Sequence, residues 1–174
     1  GSPTSGPRSA HSGLNVWATN LSGDYFNNEF GSITSPMIDL SAYSGQTIIV
    51  SWWQWLQTEA DFDYGWVEVS SDGGSSWQQI YFDTGEVNTT WTKYSIVLDP
   101  SFAVGNFLIR FYFSSEGSVT APGYYVDDIG IGVQFAPPPY YAEDFESDDG
   151  GYTVSGVTSW EWGITTRGPS FAHS

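Results

Sequence analysis

Carboxylates are the chemistry this chain has most to offer. It holds 20 Asp and Glu against 4 Lys and Arg, for a formal charge of −16. Asp127 and Asp128 stand out because they interrupt an apolar stretch, Tyr124-Tyr125-Val126 before them and Ile129-Gly130-Ile131 after. Neighbouring residues of a strand face opposite sides, so one of the two carboxylates is expected to point toward the core or a sheet edge. A carboxylate placed there without a partner is costly. Either a metal or a hydrogen-bonded turn must compensate it, since the basic residues are only Arg8, Lys93, Arg110 and Arg167. A second acidic set, Glu59, Asp61 and Asp63, alternates along one loop with the i, i+2, i+4 spacing of loop calcium ligands. The glycine and distal glutamate of an EF-hand are absent, and a solvated loop accounts for the run equally. All-oxygen donors favour Ca²⁺, which takes six to eight of them.

Catalytic patterns are not met. The chain has no Cys, no H-E-x-x-H and no G-x-S-x-G, so the usual nucleophile and zinc motifs are excluded. His11 adjoins Ser12, but adjacent strand residues diverge and no orienting acid is evident. The chain reads as a non-enzyme. Its acidity excludes nucleic acid as a partner, because phosphate neutralisation needs clustered Lys and Arg. No apolar run is long enough for membrane insertion. The other candidate site is aromatic. Trp53 and Trp55 share one strand face, Trp66 and Glu68 another, and Arg110 and Tyr112 a third. Neighbouring strands would combine these into a face on which sugar rings stack. The alternative is that the Trp residues fill the core, as buried aromatics commonly do.

The elements that must position these residues are strands. No window sustains a helical apolar period, while period-two alternation recurs. Phe107, Ile109, Phe111 and Phe113 oppose Leu108, Arg110 and Tyr112; Thr92, Tyr94, Ile96 and Leu98 oppose Trp91, Lys93, Ser95 and Val97. Strands are expected at Leu14–Thr19, Ile33–Leu40, Thr47–Leu56, Gly65–Ser70, Trp77–Phe82, Thr92–Leu98, Phe107–Ser114, Tyr124–Val133, Tyr141–Glu146 and Trp160–Ile164. Many short alternating strands with Gly-rich turns indicate an all-β antiparallel sandwich, a jelly roll with little or no helix. Ser70-Ser71-Asp72-Gly73-Gly74-Ser75-Ser76-Trp77 resembles the Asp-box hairpin of sialidase-like propellers, whose Asp accepts backbone N–H groups inside the turn. Here that motif reads as structural.

The chain also repeats itself. Gly6-Pro7-Arg8-Ser9-Ala10-His11-Ser12 returns as Gly168-Pro169-Ser170-Phe171-Ala172-His173-Ser174, five of seven residues identical at an offset of 162 (168 minus 6). This is the mark of a tandem array. Residues 3–134 form the body of one unit without its opening strands. Residues 135–140, with Pro137-Pro138-Pro139, are a stiff linker of about 3.1 Å per residue. Residues 141–174 open the next unit and complete a jelly roll in cis or in trans. Partners thus include neighbouring repeats, through strand exchange or head-to-tail self-association.

The wider order of motifs carries a family resemblance. Asp144-Phe145-Glu146-Ser147 and Trp160-Glu161-Trp162-Gly163 open the unit. They are followed by Ala10-His11-Ser12-Gly13, Ser35-Pro36-Met37-Ile38-Asp39-Leu40-Ser41, Trp53-Gln54-Trp55, Asp72-Gly73-Gly74 and Tyr125-Val126-Asp127-Asp128-Ile129. In that order they resemble the MAM-like jelly rolls of bacterial surface proteins. Cleaved-adhesin (choice-of-anchor J) domains and C-terminal modules of immune-inhibitor-type secreted metallopeptidases are of the same kind. The resemblance implies an extracellular, non-catalytic, Ca²⁺-stabilised repeat, with Asp144 and Glu146 joining Asp127 and Asp128 at the metal. The function expected is adhesion, with carbohydrate or a surface glycoprotein as partner through Trp53, Trp55 and Trp66. The alternatives are a structural spacer of a stalk or fibre and an accessory module of a secreted peptidase.

Overall fold

A computed structural model describes residues 6–133 and 141–164. The linker at 135–140 and the second copy of the repeat at 168–174 lie outside the described residues. Eleven strands are described, in the order β1 (Asn15–Ala18), β2 (Phe30–Thr34), β3 (Ile48–Gln57), β4 (Tyr64–Ser70), β5 (Gln78–Thr84), β6 (Thr92–Leu98), β7 (Leu108–Ser114), β8 (Gly123–Val133), β9 (Tyr141–Glu143), β10 (Thr153–Val157) and β11 (Glu161–Ile164). The helical content described is two short 3₁₀ turns, Ser41–Tyr43 and Pro100–Phe102. No helix among the described residues is long and apolar enough to cross a membrane.

The strands form two antiparallel sheets packed as a sandwich. The first has the order β11-β1-β8-β3-β6, with β9 also on β8; the second has β10-β2-β7-β4-β5. The chain changes sheet at most connections, as a jelly roll requires, and the tight hairpin β4–β5 is built by the Asp-box loop. Ile109, Phe111 and Phe113 of β7 and Phe107 just before it are all fully buried, so the alternation along this stretch marks its core face. They meet Ile48, Val50, Trp52 and Leu56 of β3 across the sandwich. One inward residue of β3 is polar. Gln54 is fully buried and satisfied on both ends: its Oε1 accepts from Trp52 Nε1 at 3.0 Å and from the Tyr124 hydroxyl at 3.1 Å, while its Nε2 donates to the Tyr81 hydroxyl at 2.8 Å.

Two elements differ from the sequence expectation. The strand expected over Ile33–Leu40 is β2, which runs earlier, over Phe30–Thr34. Pro36 has no N–H to give a ladder, and beyond it the chain keeps only isolated bonds such as Ile38 N to Phe107 O at 2.9 Å. The missed strand is β10. Its five residues are all exposed, so no alternation reports it. It lies against β2 so closely that a Cβ on Gly31 would stand 2.3 Å from the Ser155 carbonyl oxygen. Gly31→Ala is therefore expected to destabilise the fold by about 1–3 kcal/mol through overpacking. A urea midpoint unchanged from the parent would show that β10 does not hold this position.

Candidate functional site at the β8 bulge

The ladder between β3 and β8 slips between Ser51 and Trp53: Ser51 pairs with Gly130, but Trp53 pairs with Asp127. The extra residue is in β8, and Asp128 sits there with a left-handed φ of 47°. A bulge re-aims side chains. Both carboxylates consequently turn to the same, outer side of the sheet. The alternation from which one carboxylate was expected toward the core or a sheet edge does not survive the inserted residue, and the buried one of the pair is Asp127.

Both carboxylates grip the segment that precedes β1. Asp127 Oδ2 accepts from the backbone N–H of His11 at 2.9 Å and of Ser12 at 3.2 Å, and its Oδ1 accepts from Asp128 N at 2.7 Å. Asp128 takes the Ser12 hydroxyl at 2.7 Å and His11 Nδ1. Asp127 is fully buried. Burial first, and then the charge of Asp128, push its carboxyl up to about 7, against the lowering effect of its three N–H donors. From the tail, Glu146 continues the same grip, its Oε1 accepting from Leu14 N and Asn15 N at 2.7 Å each. Gly13, at φ 52°, lies directly over it, where a Cβ would come within 1.9 Å of the Glu146 carboxyl carbon. Asp144 Oδ1 accepts from Glu146 N at 3.1 Å. Phe145, between these two acids, is fully buried and also left-handed, at φ 61°. Backbone strain of this kind gathers at functional sites.

Asp128 and Asp144 open onto one groove of about 600 Å³, walled by Ile49, Trp53, Lys93 and Glu143. Burial raises the Glu143 carboxyl above its usual range. The donor chemistry suits Ca²⁺, but the geometry does not complete a sphere. Among the described residues no three His, Asp or Glu side chains converge so as to hold a metal ion. The oxygens of Asp127, Asp128 and Glu146 named above are taken by N–H and O–H donors instead.

The second acidic loop is dispersed. Asp63 is fully buried, accepting the Tyr25 hydroxyl and, at 2.7 Å, Glu116 N. Burial and this bond push the Tyr25 phenol well up. Asp61 is exposed in a left-handed turn, and Glu59 accepts from the Ser118 hydroxyl at 3.1 Å.

The three tryptophans occupy different places. Trp53 stacks on His11 with centroids 3.6 Å apart. Trp55 is buried in a small second cluster with Ala10, Val16, Ala18 and Tyr125, so the pre-β1 segment roofs it. Trp66 stacks on Tyr112 at 4.6 Å and 5°. Its neighbours form the mixed aromatic and polar outer face expected from the pattern, with Arg110 ion-paired to Glu68 and lying 3.9 Å over Trp77. On the same sheet Asp72 accepts from Ser76 N at 2.8 Å within the Asp-box turn, and the Ser76 bonds hold its carboxyl down to about 2. Sequence reasoning missed that His11 and Ser12 are partners of Asp127 and Asp128; the recurrence of Ala-His-Ser in the repeat was the signal for it.

Asp127→Ala removes an acceptor from three backbone donors. The expected loss is about 1–3 kcal/mol, since each orphaned buried group is costly. Hydrogen exchange should speed up at the His11 and Ser12 amides while β7 stays protected; equal protection of the segment in the variant would contradict the assignment.

No protein-family model matches the chain. It is similar to Bacillopeptidase F from Bacillus subtilis (strain 168), at 33% identity over 129 residues, 74% of this chain. The match spans 9% of that protein's length.

Proposed function

We propose that this chain is a non-catalytic accessory module of an exported peptidase, a β-sandwich that holds position beside a catalytic domain rather than cutting a substrate itself. The observation that carries this reading is the likeness to a small part of Bacillopeptidase F over most of the chain. The site supports it from the other side. The His–Ser–Asp grouping around β8 has both His11 and Ser12 bonded to Asp128, whereas a nucleophile needs a base bonded to it and that base held by a third group. One Lys, no Cys and a charge of −16 fit a protein working outside the cell, bacterial by the source of its relative.

Replacing the matched stretch of Bacillopeptidase F with this chain tests the reading. The hybrid should be exported and should hydrolyse casein at a rate within about twofold of the parent, while a deletion of the stretch loses export or activity, and the isolated chain cleaves nothing. A hybrid as impaired as the deletion overturns the assignment.

A calcium-stabilised surface repeat is the second reading. It is favoured by the like-charged pair Asp127–Asp128, the first fully buried and neither ion-paired to a Lys or Arg among the described residues. It requires side chains to leave their present bonds. On this reading millimolar Ca²⁺ raises the melting temperature several degrees over EDTA, and Asp128→Asn abolishes the rise. An equal melt in both leaves hydrogen bonding as the whole role of these acids. Glycan binding is not part of the proposal: one face of Trp53 and one of Trp66 are taken by neighbouring rings, and Trp55 is buried.

A further inference from the structure

The strands of residues 141–164 pair with the body and not with each other. β9 lies on β8, β10 on β2 and β11 on β1. The segment sends Phe145, Tyr152 and Trp160 into the main core. A body without it therefore lacks three core aromatics and leaves the edges of β1 and β2 open. Exposed edges of that kind recruit strands.

The acceptor is also not specific to one connection. β11 runs antiparallel to β1, with Ile164 opposite Asn15. Ten residues beyond Ile164 (174 minus 164) the sequence completes its copy of Gly6–Ser12, the residues that lead directly into β1. The same heptad thus comes after β11 and before β1, and the β11–β1 pairing seen here is the pairing a tail would make with a body on its other side. The dock is imperfect as well. Ser159 Oγ and Trp160 Nε1 are buried without a hydrogen-bond partner among the described residues, and such groups weaken an interface.

We propose that the segment 141–164 is an exchangeable donor, and that a second copy of this chain accepts it at β1, β2 and β8, joining copies head to tail. The contact is heterologous, so it closes into rings or extends into open chains. High effective concentration favours the donor's own body in dilute protein, and raising the concentration shifts the balance to the neighbour.

Ser32 and Ser155 give a direct test. They are paired across β2 and β10 with side-chain oxygens 3.1 Å apart, and the chain has no cysteine of its own. Two full-length chains, one Ser32→Cys and one Ser155→Cys, are unfolded, mixed at high concentration, refolded and oxidised. Exchange yields a disulfide-linked pair of the two different chains, at a yield rising with concentration and absent when either variant is refolded alone. A chain carrying both substitutions serves as the control for internal closure. Monomer only from the mixture, with the double variant closing internally, overturns the proposal. Light scattering on the unsubstituted chain refolded at the same concentration reads the same question without cysteines: dimers and larger species are expected, and monomer at every concentration overturns it.

Discussion

The carboxylate that accepts two or three backbone N–H groups is the interaction on which the rest of this structure leans. A segment crossing the outer face of a sheet has main-chain donors that no ladder satisfies, and leaving them buried is costly. This chain has almost no basic residues with which to neutralise its acids, so the two shortages meet each other. Asp127 and Asp128 hold residues 11 and 12, and Glu146 holds 14 and 15. Bonds from neutral donors to an ionised acceptor are stronger than neutral pairs, and Asp127, its carboxyl pushed up to about 7, reaches that state fully only above neutral pH. Their consequence is apolar: once the segment is fixed, Ala10 covers Trp55 and Tyr125, and an aromatic surface becomes a second, small core.

The same grip dictates backbone shape. A carboxylate directly beneath a chain needs room, and Gly13 provides it where any Cβ would collide with Glu146. Asp128 and Phe145 adopt left-handed conformations that L-residues disfavour. The first makes the bulge that turns two adjacent acids the same way. The second keeps Phe145 in the core while its neighbours Asp144 and Glu146 lie outside it, one exposed and one part-buried. Strain at these positions is thus part of how acids and apolar anchors coexist within three residues.

Period decided what could be read from the sequence. β7 and β6 alternate without interruption, and their faces were readable residue by residue. The Asp-box turn was readable because its bonds are local. The bulge was not: nothing in Tyr-Tyr-Val-Asp-Asp-Ile-Gly marks which residue is extra, and the face of every later residue depends on it. For Trp55 the pattern left two readings open, a ligand-facing surface and a buried place; it is buried, under a segment 45 residues away (55 minus 10). β10 escaped notice because an exposed edge strand has no core to pattern against. The acids stand out in the sequence because they interrupt an apolar stretch, yet composition cannot say whether a carboxylate meets a cation or an amide.

Connectivity adds a last constraint. The β4–β5 hairpin is a pairing between strands next to each other in sequence, tied by a turn whose Asp72 stays ionised far into acid. The other pairings among residues 6–133 join segments separated by longer stretches of chain, and closing them costs entropy before they return any contact. Strands at the edges of both sheets, β10 and β11, come from the far end of the described chain. Their partners, β2 and β1, are open-edged whenever residues 141–164 are undocked, and of the acids that fasten the pre-β1 segment Asp127 and Asp128, unlike Glu146, remain with the body in that state. They remain because they belong to β8, the strand that β1, β3 and β9 all pair with.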